Sequence, residues 1–537
     1  MTAMMSMSMS MSASASSRPR QVVVHQRGRG GAAGKIHVLG DRTQGSGSVS
    51  KKKTMADVPQ PQPIYPLVGN LPQLKFDMLH IPLQVARLYN EMDCDTLKLQ
   101  MFSSSSNTIR TRSLSGVLNV LKDNKHYNKL LETRESFNLG IFEEFLGRGL
   151  ASIDDGPMYK ELRSIMNPAF RKVTTDSMVK DFSLVGAKLL QSIEASGMNA
   201  GVVDMQSLAM AATVDSIGLL HFRTDLQQLD MLNGSDSEGP LKSVADIMTR
   251  ITTEGQMLML PGFISEDLPK LLPGYTKYRS GLDDLDTLIK YVIEQRKSLG
   301  LTDDDKDVLG AILAYYGKEG YEWLTFPLLR DQLTTLFFAG SDTTASTIAW
   351  TLYELSKNED VQLKVQKEVD AMMKKPSIGG DPANITANDL DALEELFSAI
   401  KETLRLYPAA PIIGRDCIEE NIMDGYLIEP GAIVITDIYS LHRNPKLWAD
   451  PSRWYPERWS PLCDEPYKVK HPEAWVPFAT GQRACIGKYF AIRESQFFLA
   501  MLLHNFNWAP GPSEPEIAHA ITITAMNGIN LKAEKRM

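Results

Sequence analysis

Along most of the chain, apolar residues recur at the spacing of helices with one buried face. The pattern predicts a first helix at 81–90 and helical segments at 173–227 and 241–251. It predicts a long helix at 326–356 with Pro327 in its first turn, a helix ended by Pro408, and a Pro-free helix at 488–503. Between 95 and 120 the alternation is that of short strands, with 103–107 as a turn, and Gly, Asp and Ser mark a loop at 233–239. Residues 257–264, Met-Leu-Met-Leu-Pro-Gly-Phe-Ile, and 268–273 form an apolar stretch broken by proline, which suits either core or an exposed contact. Around 137–150 several aromatics stand among glycines. No 18 apolar residues run together, so no transmembrane helix is predicted, and no internal repeat is visible.

The first fifty-odd residues break the pattern. Residues 1–17 are almost wholly Met, Ser, Ala and Thr; 18–53 add Arg, Lys and Gly, with Asp41 the sole acidic residue before Asp57. Such a segment cannot bury enough apolar surface to fold alone. It lacks the apolar core of a secretory signal, and its Ser-rich, basic, acid-poor profile is that of an organelle transit peptide; a disordered tail or a true start at Met55 are the alternatives. Residues 59–72 carry closely spaced prolines that favour a stiff, extended segment, where the folded part is expected to begin. Read alone, this segment also suits an SH3-type ligand.

Composition narrows the picture. With 537 residues, 43% hydrophobic and 23% charged, the chain can bury a large core, and length alone suits about three or four domains. The net charge of −8 argues against nucleic acid as the main partner. Cys94, Cys417, Cys463 and Cys485 are too few and too scattered for a disulfide framework or a C-x-x-C zinc site.

The candidate chemistry centres on 478–487, Phe-Ala-Thr-Gly-Gln-Arg-Ala-Cys-Ile-Gly. Pro477 breaks the backbone before it, and Gly481 and Gly487 free φ where a side chain would obstruct. Cys485 heads the helix predicted at 488–503, where the dipole favours thiolate, the metal-ligating form. A glycine-rich bend admits a flat cofactor, and Arg483 offers a partner for an anionic substituent. On Cys485 alone, a buried free thiol at a helix start reads as well. Within the helix at 326–356, Gly340, Thr343 and Thr344 make a weak spot, Gly costing about 1 kcal/mol relative to Ala, and such spots often mark functional distortions. An ordinary crossing of small residues is the alternative. Glu402 and Arg405 are i, i+3 neighbours and Tyr159 and Arg163 are i, i+4 neighbours on helical faces.

Taken together, these stretches resemble the cytochrome P-450 family. The loop matches F-x-x-G-x-R-x-C-x-G at Phe478, Gly481, Arg483, Cys485 and Gly487; Ala339-Gly-Ser-Asp-Thr-Thr344 matches the oxygen-activation motif; Lys401-Glu-Thr-Leu-Arg405 and Pro456-Glu-Arg458 match two further boxes. Where the family has W-x-x-x-R, this chain has Tyr159 and Arg163. The resemblance covers about 59–537 as one domain after a 1–58 leader, and implies a mainly α fold with a small β region. By it, Cys485 is the axial thiolate of haem b (iron protoporphyrin IX), Phe478 shields the sulfur, and Arg483, Tyr159, Arg163 and Arg415 bind propionates. Asp342 and Thr343 guide protons, Glu402, Arg405 and Arg458 form a buried network steadying the loop, Ala409 to Ile413 line the pocket, and 137–150 cover the substrate. The activity implied is O2-dependent oxidation of a lipophilic molecule, a fatty acid, sterol or isoprenoid/carotenoid, by a monomer. The electrons come ultimately from NAD(P)H through a separate reductase or ferredoxin, steered by Lys160, Arg171, Lys172, Lys468, Lys470 and Lys488. Thr343 argues against a peroxide-using isomerase, and the intact Asp342–Thr343 pair against a haem sensor or carrier without turnover. The leader implies a plastid or mitochondrion, with the cytosol or peripheral contact with the endoplasmic reticulum membrane through 257–273 as alternatives.

Overall fold

The computed structural model describes residues 53–536 apart from 67, 76, 101–107, 130–139, 236–240, 263–266, 303–304 and 520–521. Residues 1–52 of the expected leader, the turn at 103–107, residues 137–139, most of the 233–239 loop and residues 263–264 therefore lie outside the described residues.

Five helices frame the site: Pro157–Phe170 (α1), Met205–His221 (α2), Phe326–Lys357 (α3), Glu394–Leu406 (α4) and Lys488–Asn505 (α5). Helix α3 is the centre of the packing. Every residue from 344 to 356 is buried, because α2, α4 and α5 all pack against it. Its approach to α2 is very close: a Cβ at Gly340 would lie 2.4 Å from Ile217 Cδ1, and Thr213 Oγ1 donates to the Ser341 carbonyl at 3.1 Å. Gly340 thus sits against the Ile217 side chain, and α3 continues as α-helix through 339–344 without the expected distortion. Helix α4 stops before Pro408, whose ring leaves the preceding residue little room for helical backbone.

A five-stranded sheet lies to one side, built from Thr96–Leu99 (β1), Thr108–Thr111 (β2), Tyr127–Lys129 (β3), Ile413–Cys417 (β4) and Ile433–Thr436 (β5) in the order β1-β2-β5-β4-β3. All pairs are antiparallel except β2 with β5. A hairpin of Ile517–His519 (β6) and Ile523–Ala525 (β7) lies against α3 through the Ser346 hydroxyl.

Three expectations need correction. The strand reading to 120 fails beyond Thr111: residues 114–122 form a helix capped by Ser113, which accepts from Gly116 N, and Leu114, Val117, Leu118 and Leu121 follow the i, i+3, i+4, i+7 spacing of a helix face. The 173–227 segment is not one helix but Lys172–Met178, Phe182–Ala200, a strand Val202–Asp204 and α2, separated at Gly201 with φ +66° and ending before Arg223 and Gln227, both at positive φ. Finally, Met55 and Val58 are buried and Leu427 N donates to the Lys53 carbonyl at 2.8 Å, so packed structure starts several residues before 59.

Candidate functional site

The Cys485 loop is closed on itself by Cys485 N donating to the Phe478 carbonyl at 2.9 Å and Ala484 N donating to that of Gly481 at 3.1 Å. Gly481 is at φ +78°, and a Cβ there would sit 2.3 Å from the Leu121 carbonyl oxygen, so both conformation and space demand glycine. Gly487 differs: its φ is an ordinary −83°, and a Cβ there would meet nothing within 4 Å. Its value is the open space, because Gly487 lines the same slot as Cys485 and Phe478. Ala339, Gly340, Thr343 and Thr344 of α3 line this slot too, as do Ala409, Ala410 and Ile413. Burial pushes the Cys485 thiol up, and the Gly487 N–H, Arg163 and Lys488 only partly oppose it. A cation bound at the sulfur would favour the thiolate.

Basic side chains gather around Arg483, which lines the slot. The β3–β4 register sets Lys129 opposite Arg415, and Arg483 lies beside both. Arg483 Nε contacts Asp155, its other nitrogens donate to the carbonyls of Leu150 (3.1 Å) and Ile153 (2.5 Å), and its guanidinium lies 3.5 Å over the Tyr159 ring. Lys129 is pushed down to about 7 by burial and by repulsion from Arg415 and Arg483. Burial also lowers Arg415, with Asp155 opposing and Arg483 adding to the effect. Among the described residues these three basic groups thus share one carboxylate, Asp155, in a poorly solvated place, and a ligand carrying carboxylates would relieve that excess. Lys129 was missed in the sequence because nothing local marks it; only strand pairing brings it here. Tyr159 and Arg163 on α1 reach the same loop. The Tyr159 hydroxyl donates to the Gln482 carbonyl (2.9 Å), while Arg163 donates to the Tyr159 hydroxyl (2.8 Å) and the Ala484 carbonyl (2.7 Å). Both hold the backbone of the Cys485 loop.

Glu402, Arg405 and Arg458 come together with side chains at most 1% exposed. Arg405 grips Glu402 with two nitrogens at 2.8 and 3.0 Å, and Arg458 Nε reaches it at 2.9 Å. Arg405 also donates to the carbonyls of His442, Pro451 and Arg453. His442, a residue no motif singles out, extends the chain of contacts: its Nε2 accepts from Val476 N at 3.0 Å, next to the Cys485 loop. Burial, Arg405 and Arg443 hold that imidazole down at about 3, so it is neutral and able to accept.

On α3 the acid and the alcohol point different ways. Thr343 donates to the Ala339 carbonyl at 2.7 Å and lines the slot, whereas Asp342 bonds Thr522 and burial raises its carboxyl. Of the aromatic stretch, Phe145 is buried against Phe338 and does not line the slot.

Residues 59–530 match the family model for cytochrome P450. The chain is 28% identical over 435 residues to the Arabidopsis thaliana protein LUTEIN DEFICIENT 5, chloroplastic, covering 78% of this chain and 68% of that one. It is 28% identical over 411 residues to leukotriene-B4 omega-hydroxylase 3 of Mus musculus, covering 73% and 75%. The crystal structure of the cytochrome P450DA haem domain matches with a TM-score of 0.73 at 23% identity, covering 89% of this chain and 98% of that one, which speaks for the fold. A family match over most of the chain, a hydroxylase among its relatives and a cavity lined by both Cys485 and Arg483 lead to one conclusion: the chain belongs to the cytochrome P450 family and is a monooxygenase that uses haem and O2.

Proposed function

We propose that this monooxygenase oxidises a long apolar lipid, a fatty acid, sterol or isoprenoid/carotenoid, with electrons passed from NAD(P)H through a separate reductase or ferredoxin. The observation that carries the reading is the slot itself, which sets the Cys485 sulfur and the Thr343 hydroxyl in one cavity among apolar side chains such as Leu336, Leu404 and Ile486. Cys485 would hold haem there, and the bound group would supply O2 activation, aided by electron donation from the thiolate. The protein's part is to position and to move protons. Arg163 and Tyr159 fix the loop that carries Cys485, and Arg483, Arg415 and Lys129 receive the carboxylates of the cofactor. Thr343, its hydrogen already donated to Ala339, presents hydroxyl lone pairs to the slot and can accept and relay a proton. Asp342 holds a proton beside it, since burial favours its neutral form.

The relatives' names, one a leukotriene hydroxylase and one chloroplastic, support a lipid substrate and a plastid location. Lys160 and Arg171 are exposed and have no carboxylate partner among the described residues, which suits an acidic redox partner; Lys172 and Lys470 are already paired with Asp176 and Glu465. Among the described residues no helix is long and apolar enough to cross a membrane, while Met257 and Leu271 stand exposed, which supports peripheral contact. The test is Thr343→Ala, which leaves α3 intact because Ala is the better helix former. Product formed per NADPH oxidised should fall and hydrogen peroxide released should rise, with haem content unchanged. Full coupling in both this variant and Thr343→Ala/Thr344→Ala would refute the proton route.

A further inference from the structure

The acid of the proposed proton route is held by a residue far from it in sequence. Thr522, buried and immediately before β7, donates its hydroxyl to Asp342 Oδ2. Among the described residues no other group hydrogen-bonds that carboxyl. The strand that follows is fixed without its help. Ile523 N donates to the Ala409 carbonyl at 3.2 Å, and Ser346, one turn beyond Asp342 on α3, donates to the Ile523 carbonyl at 2.9 Å. Gln206 of α2 makes two hydrogen bonds with the Ala525 backbone, at 2.9 and 3.1 Å. The backbone around Thr522 is thus anchored on α2, on α3 and on the Ala409 carbonyl, and its hydroxyl serves Asp342.

We propose that Thr522 is a positioning residue that holds the Asp342 carboxyl in place for proton supply to the slot. The inference rests on the reading of Asp342 given above. A buried carboxyl without a partner bears the full cost of lost hydration, and it swings toward any polar group within reach. A hydroxyl answers both protonation states, donating to the carboxylate and accepting from the acid, so Thr522 can keep Asp342 in one place as its proton leaves and returns. Valine fills the same volume and does neither.

The test is a double-mutant cycle on the haem-loaded protein with Thr522→Val, Asp342→Ala and the pair, together with Thr522→Ser. Turnover is followed with dodecanoic acid as the probe substrate, and thermal unfolding of these variants and of the unsubstituted protein is recorded without substrate. Thr522→Val is expected to lower kcat on the order of tenfold or more, to raise the solvent isotope effect, and to leave KM and haem content unchanged. Adding it to Asp342→Ala should slow turnover no further, the shifts in Tm should be non-additive, and Thr522→Ser should recover most of kcat. Native kcat in Thr522→Val beside a slow Asp342→Ala would overturn the inference, as would additive shifts in Tm. A fully active Asp342→Ala would instead refute the proton role of Asp342, and the Tm cycle would then decide alone whether Thr522 holds it.

Discussion

Replacing Glu402 with Gln keeps the side chain's shape and removes its charge from a place water does not reach. Glu402 accepts from Arg405 Nε and Nη2, Arg458 Nε, Trp459 Nε1 and Tyr455 N, all between 2.8 and 3.0 Å. All five end on an ionised carboxylate and are charge-assisted, worth about 1.5–3 kcal/mol each, three of them from guanidiniums, and an amide nitrogen would turn one or more into a clash of donors. Two guanidiniums would remain buried with no carboxylate between them. Breaking a buried pair from one side typically costs about 3–5 kcal/mol, against a total stability of about 5–15 kcal/mol for a folded domain. The damage should pass through Arg405 and His442 to Val476 and the loop that presents Cys485. Glu402→Gln is therefore expected to yield protein with little bound haem and a melting temperature several degrees lower, read from the Soret band and far-UV circular dichroism. Glu457, in the same Pro456-Glu457-Arg458 turn, is the internal control. Among the described residues its carboxylate pairs with Lys364 alone, near the surface, so Glu457→Gln should change stability by no more than about 0.5 kcal/mol. Equal haem content and melting temperature in the two variants would refute the argument.

Other outcomes follow from single observations. Cys485→His should abolish the red-shifted ferrous–CO band, and retention of that band would mean that Cys485 is not the ligand. In the haem-free protein Lys129 has a folded-state value of about 7 against its ordinary 10.5, so its contribution to stability is intact above pH 10.5 and is lost as pH falls towards 7. Denaturant midpoints should accordingly decline from pH 10 to pH 7, and Lys129→Met should flatten that slope. Deleting residues 1–51 should leave a folded haem protein, whereas deleting 1–58 removes buried Met55 and Val58 and should cost about 3–6 kcal/mol, measurable by urea unfolding. A reporter fused to residues 1–51 should leave the cytosol if that segment is a targeting peptide.

The sequence by itself determined the helices at 81–91, 326–357 and 488–505 almost to their ends, because their apolar spacing and proline boundaries are local properties. It also brought Cys485, Glu402, Arg405 and Arg458 to notice, since each stands in a short stretch of fixed spacing. What it could not reveal were the contacts made between distant segments. Strand pairing alone puts Lys129 against Arg415, and a hairpin about 180 residues away along the chain supplies the hydroxyl on Asp342. His442 becomes a link between the buried charges and the loop only when α4 and the loop pack together. Gly340 shows the same limit from the other side: its low helix propensity suggests a local weakness, but the helix runs on through it with the side chain of Ile217 from another helix packed against it. Propensity and spacing act over a few residues, whereas the balance of charge, burial and close approach is set by neighbours that only the folded chain brings together.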